Sequence, residues 1–137
     1  MKIFIFGNGN INFDDFEIFY KKPLEPFLNN KNTEFILCDF RGTDTLVMEL
    51  LKNHTSKVIV YHIGKKPRYY PDKYKTKVSQ WTIKNGFISD EERDLTAIND
   101  CTHFLAKDFN SNKKRVSGTQ KNIQECIKQD KINILHI

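Results

Sequence analysis

The chain has 137 residues, 39% hydrophobic and 28% charged, which excludes disorder and collagen-like repeats and fits one globular unit. Folding at that length buries roughly 65–70% of the unfolded surface, enough for a real core. The net charge is +5, and the segment between Gly64 and Lys77 accounts for all of it: Lys65, Lys66, Arg68, Lys73, Lys75 and Lys77 face only Asp72, so a local anion site is expected rather than a uniformly basic coat.

Lys2–Phe6 is an apolar, β-rich run that ends in Gly-Asn-Gly-Asn, which predicts a buried strand and a tight turn. Phe16, Phe19, Tyr20, Leu24, Phe27 and Leu28 follow at helical spacing, while Pro23 and Pro26 predict a break or kink. Glu34–Cys38 is the second expected strand. Thr45–Leu51 is a helix with Leu46, Val47, Leu50 and Leu51 inward, and Lys57–His62 a third, buried parallel strand. The basic loop comes next, then Lys77–Gly86, which holds Trp81 and whose pattern selects no element. Ser89-Asp90-Glu91-Glu92 forms a capping box for a helix to about Asp100, with Leu95 and Ile98 inward. Thr102–Ala106 reads as a short strand. Ser117-Gly118-Thr119-Gln120 is a second capping box, and its helix carries Ile123, Cys126 and Ile127 as one apolar stripe. Ile132–Ile137 closes the sequence as a strand.

Strands alternating with helices imply α/β architecture: a single Rossmann-like doubly wound domain over 1–137, mainly parallel, with about five strands and helices on both faces. Such sheets bind ligands beyond the carboxyl ends of their strands, where the strand order reverses. That rule selects four loops: Gly7–Asn12, Asp39–Thr45, Ile63–Tyr70 and Lys107–Thr119. Both basic clusters, Lys65/Lys66/Arg68 and Lys113/Lys114/Arg115, lie within them.

Gly7-Asn8-Gly9-Asn10-Ile11-Asn12 lacks the third glycine of a dinucleotide fingerprint, so it reads as a turn at the rim of a ligand site and not as an NAD site. Asp39-Phe40-Arg41-Gly42-Thr43-Asp44-Thr45 has the makings of an anion nest at a helix start, although ordinary capping by Thr43 or Asp44 explains the same residues. Ser117-Gly118-Thr119 has the same double reading, with Lys113-Lys114-Arg115 beside it favouring a phosphate.

Arg41-Gly42-Thr43-Asp44-Thr45-Leu46, Arg93-Asp94 and Ser117-Gly118-Thr119 resemble, in that order, the SLOG superfamily of Rossmann-like domains. The resemblance is nearest its small stand-alone proteins and the branch of DNA-processing protein A. It implies binding of nucleotides or nucleotide derivatives, with Gly42, Ser117, Gly118 and Thr119 around phosphate or ribose and Arg93 reaching into the same pocket. Its hydrolytic branches, the LOG phosphoribohydrolases and nucleoside deoxyribosyltransferases, place a glutamate where this chain has Asn122. An amide hydrogen-bonds a sugar but is neither nucleophile nor base, so no catalytic residue is assigned.

The leading expectation is therefore a cytoplasmic module for a nucleotide-like small molecule, with no resident cofactor. An N-glycosidase or transferase using Asp39, Asp44, Asp94, Asp108 or Glu49 is the first alternative. The second is a single-strand nucleic-acid binder, in which Tyr69, Tyr70 and Tyr74 stack bases beside the lysines; packing of these rings on the sheet edge is the plainer reading. His54, His62, His103 and His136 lack metal-ligand spacing, so no metal is expected. Cys38, Cys101 and Cys126 at wide spacing form no disulfide framework and fit a reducing compartment. No bilayer-spanning run occurs, and Met1–Phe6 is too short for a signal peptide, so no membrane contact is expected. A homo-oligomer is left open.

Overall fold

Alternate residues of the short strands point to opposite faces of one sheet, and each face finds its own apolar cover. The computed structural model describes residues 1–137. Its strands are β1 (Lys2–Ile5), β2 (Glu34–Leu37), β3 (Val58–Tyr61), β4 (Thr82–Lys84), β5 (His103–Leu105) and β6 (Ile132–Asn133). All pair in parallel, in the order β4-β3-β2-β1-β5-β6. The order reverses at β1, which lies between β2 and β5 and pairs Ile3 with Phe35 and with His103. This is the doubly wound, Rossmann-like α/β arrangement, with one strand more than the sequence predicts.

The extra strand is β4. It lies in the stretch whose pattern selected nothing, because its residues are exposed at the sheet edge and carry no apolar alternation. A 3-10 turn, Val78–Gln80, precedes it in place of a crossover helix. Pro67 and Pro71 together with the lysine run are poor helix material. Trp81 is buried and donates its indole N–H to the Thr55 carbonyl, and the Tyr70 ring meets it edge-on at 5.9 Å.

On the first face, Ile3, Ile5, Phe35, Leu37, Val58 and Val60 meet the helical run 13–27 and α3 (Thr43–Leu51). That run changes pitch instead of breaking. It passes from α1 (Phe13–Phe16) through a π-helical turn (Glu17–Lys21) and α2 (Lys22–Leu24) into a 3-10 turn (Glu25–Phe27). Pro23 and Pro26 each sit at the start of a new segment, where a missing amide proton costs least. On the second face, Phe4, Phe6, Ile36, Tyr61 and Phe104 meet α4 (Asp90–Asp100) and α5 (Gly118–Lys128). Full burial of each such side chain contributes roughly 1.5–3 kcal/mol, so both faces hold the sheet.

Several inward assignments shift by about one residue. In α3 the buried residues are Thr43, Asp44, Val47, Met48 and Leu51, while Leu46 and Leu50 are only half-buried. Leu95 in α4 is exposed, and Arg93 and Ala97 take the inner positions beside Ile98. Ile127 is exposed and Ile123 half-buried, which leaves Cys126 as the buried residue of its stripe. The final strand stops at Asn133, whose side chain caps a 3-10 turn over Ile134–His136. No helix is long and apolar enough to cross a membrane.

Candidate ligand-binding cleft

A cleft of about 510 Å³ opens where the strand order reverses, beyond the carboxyl ends of β1, β2 and β5. All four loops selected from the sequence contribute: Gly7–Asn10, Phe40 with Arg41 and Asp44, Arg68, and Asn110 with Arg115 and Ser117–Thr119. The amino-terminal turn of α4 adds Asp90, Arg93 and Asp94, and α5 adds Asn122.

Asn8 joins three of these loops. It is buried, and its amide donates to Asp108 Oδ1 at 3.0 Å and to Thr119 Oγ1 at 3.3 Å. Its side-chain oxygen accepts from the Phe109 amide at 2.8 Å, and its carbonyl accepts from the Thr43 amide and hydroxyl. Gly7 lies between Asn8 and the buried Tyr20, whose hydroxyl donates to the Phe6 carbonyl, and a side chain at Gly7 would collide with both Tyr20 and Thr43.

The turn before α3 is closed. Gly42 adopts φ +78, and a Cβ there would stand 2.5 Å from the Gly9 carbonyl oxygen. Thr43 is fully buried, the Thr45 hydroxyl donates to the Gly42 carbonyl, and neither Gly42 nor Thr43 lines the cleft. The expected anion nest is absent here because the Thr43 amide and hydroxyl go to the Asn8 carbonyl and a carboxylate, Asp44, fills the first turn. Asp44 is 5% exposed: Oδ2 accepts from the Phe40 amide at 3.0 Å and Oδ1 has no partner. Burial pushes its pKa up to about 7 against the Phe40 bond that opposes it.

The turn before α5 is open. The Ser117 hydroxyl accepts from the Gln120 amide at 3.0 Å and donates to Asp108 Oδ1 at 2.7 Å. Gly118 faces empty space, and Ser117, Gly118 and Thr119 line the cleft with Arg115 beside them. Burial raises the Asp108 carboxyl, but bonds from Ser111, Asn8 and Ser117 overcome it and hold the group well below the usual carboxylate range.

Arg93 forms the wall between these turns. It is 5% exposed and lines the cleft, the pocket position that the resemblance implies, because α4 presents the side opposite Leu95 to the sheet. Nε and Nη2 donate to Asp94 Oδ1 at 3.1 and 3.0 Å. Nη1 stands 3.0 Å from Asp90 and 3.5 Å from Asp39, yet completes no hydrogen bond. Asp39 also accepts from the Arg68 amide at 2.7 Å and guanidinium at 2.9 Å. Burial alone would raise Asp39, but the Arg68 bonds win and its pKa lies below the ordinary value. The other Asp94 oxygen accepts from the Asn122 amide at 3.1 Å. Phe40 lies under two guanidinium groups, Arg41 at 5.6 Å and Arg68 at 5.3 Å from the ring centre.

Lys65, Lys66, Lys113 and Lys114 are exposed and outside the cleft lining; only Arg68 and Arg115 of the two basic clusters reach it. Tyr69 and Tyr70 pack on the first core, Tyr74 is exposed, and His62 is buried without lining the cleft. Sequence reasoning did not select Asp90, although Asp90, Arg93 and Asp94 at positions i, i+3 and i+4 mark one helix face. Fold and cleft thus define a doubly wound α/β domain with a polar, arginine-rich crevice at its topological switch point. No protein-family model, curated protein or solved structure matches the chain.

Proposed function

We propose that the cleft binds a nucleotide or nucleotide derivative in the manner of a SLOG-type module, with the phosphate at the open end of α5. The observation that carries this reading is the convergence of an incompletely hydrogen-bonded guanidinium and an open helix start on one crevice. Arg93 Nη1, buried in the wall, lacks a hydrogen bond, while the first turn of α5 faces empty space at Gly118. A helix start and a forked guanidinium both favour a phosphate oxygen. Arg41 and Arg115 supply further positive charge at the rim, and the Phe40 ring beneath Arg41 offers a face to a base. Three buried free thiols suit the reducing setting of a cytoplasmic module.

Three of the five carboxylates considered for glycosidic hydrolysis are already spent on contacts within the protein. Asn122 donates to Asp94, and the carboxylates Asp39, Asp94 and Asp108 are each engaged by arginines or by several hydrogen-bond donors.

Saturation by AMP, cyclic AMP, ADP-ribose or NAD at 100 times the dissociation constant is expected to add ~2.7 kcal/mol of stability, visible as a thermal shift. Gly118→Asp, whose Cβ would meet no atom within 4 Å and whose charge favours a helix start, should fold normally and lose that shift. No shift with any of the four compounds would overturn the proposal. Tighter binding of oligo-dT with a steep salt dependence would replace it with the single-strand reading.

A further inference from the structure

Asp44 is a buried acid of the cleft with one oxygen that no neighbour uses. It lines the crevice from the first turn of α3, one oxygen held by the Phe40 amide and the other, Oδ1, without a partner. A buried polar atom with nothing to bond is costly and calls for a ligand. The groups that face it come from every surrounding element. Cys38 and Asp39 lie on the segment after β2, Arg93 and Asp94 on α4, and Tyr20 on the helical run after β1. The two guanidinium groups of Arg68 and Arg93 already face three carboxylates, Asp39, Asp90 and Asp94, before Asp44 is counted. Excess positive charge therefore does not hold Asp44 ionised, and an arriving anion adds a further negative charge beside it.

We infer that Asp44 acts as a protonated carboxyl whose Oδ1–H donates to an acceptor oxygen of the bound phosphate or sugar, so that the cleft takes up its anionic ligand together with one proton. The inference rests on the nucleotide-binding reading and deepens it. The Phe40 amide fixes which oxygen carries the proton, because Oδ2 is already an acceptor. Burial, which raises the Asp44 pKa to about 7, supplies the neutral form in the working range. Ligands with an acceptor at that point are selected over those that present only a donor.

The probe is ADP-ribose, whose diphosphate charge is constant between pH 5.5 and 8.5, with sulfate as a second fixed-charge anion. Calorimetry across that range, in buffers of different ionisation enthalpy, is expected to show affinity falling up to tenfold per pH unit above about 7. Uptake should approach one proton per ADP-ribose bound at pH 8.5 and fall toward none at pH 5.5. Asp44→Asn places an amide N–H where the acid carried its proton, so its profile should be flat, while Asp44→Ala should bind weakly at every pH. Affinity that rises with pH would make Asp44 an ionised acceptor and overturn the inference. PH-independent binding by the unaltered chain would also overturn it, with the nucleotide-binding reading intact. If neither ADP-ribose nor sulfate binds at any pH, the inference falls, and if AMP, cyclic AMP and NAD also give no thermal shift the nucleotide-binding reading falls with it.

Discussion

The turns that open α3 and α5 both read as glycine followed by threonine, yet they end in opposite conditions. Before α3, Gly42 presses against the Gly9 backbone, Thr43 is buried on Asn8, and the first turn encloses a carboxylate. Before α5, Gly118 has open space around it and Ser117 spends its hydroxyl on Gln120 and Asp108, which leaves the mouth of the cleft clear. A helix start becomes an anion site only when its donors are left over after packing. The Asn8 carbonyl of the β1 loop takes the first amide of α3, at Thr43, whereas on α5 the same loop meets only the Thr119 side chain.

The strongest way to break this contrast is to remove the wall between the two turns. Arg93→Ala leaves Asp39 and Asp94 with one cation fewer in a buried setting, so a loss of about 3–5 kcal/mol in urea unfolding is expected. A loss below about 1 kcal/mol would return Arg93 to an ordinary surface ion pair.

The next effect compares the glycines directly. Gly42→Ala meets both a left-handed φ and the Gly9 backbone, and about 2–4 kcal/mol of destabilisation is expected. Gly118→Ala meets neither and should change stability by no more than about 0.5–1 kcal/mol, with a gain the expected sign. Equal losses at the two positions would erase the distinction.

The smallest effect is a pH dependence at the closed turn. Asp44 titrates near 7 in the folded chain and near the ordinary carboxyl value when unfolded, so the folded state holds the extra proton between about pH 4 and 7. Stability on this account is fully present below about pH 4 and falls as pH rises to 7. Asp39 and Asp108, whose pKa values are lowered, act in the opposite sense: their contribution is present above the ordinary carboxyl value and is lost as pH falls through the folded one. Asp44→Asn removes only the first trend. It should be more stable than the unaltered chain at pH 8, on the order of 1–3 kcal/mol, and equal to it at pH 4. Urea titrations at the two pH values check both signs.

The apolar runs of β1, β2 and β3 and the capping residues Ser89 and Ser117 determined most of the fold by themselves. Their signals are local: side-chain period and the chemistry of a helix start act within a few residues. Both capping serines accept the third amide of their helices, as the spacing predicts. The four loops of the cleft were legible too, because a parallel sheet places its loops at one end by a topological rule. Tertiary structure alone decided the rest. It made β4 a strand, since an exposed edge strand needs no apolar pattern and owes its form to pairing with β3. It turned α4 so that Arg93 is buried and Leu95 exposed, against the apolar pattern, and it assigned the Thr43 amide and hydroxyl to Asn8, 35 residues earlier in the chain. The charge count pointed to the lysine loop, yet only Arg68 of its basic residues reaches the cleft. Charge along a sequence is additive, whereas access to a crevice depends on which backbone passes in front of it.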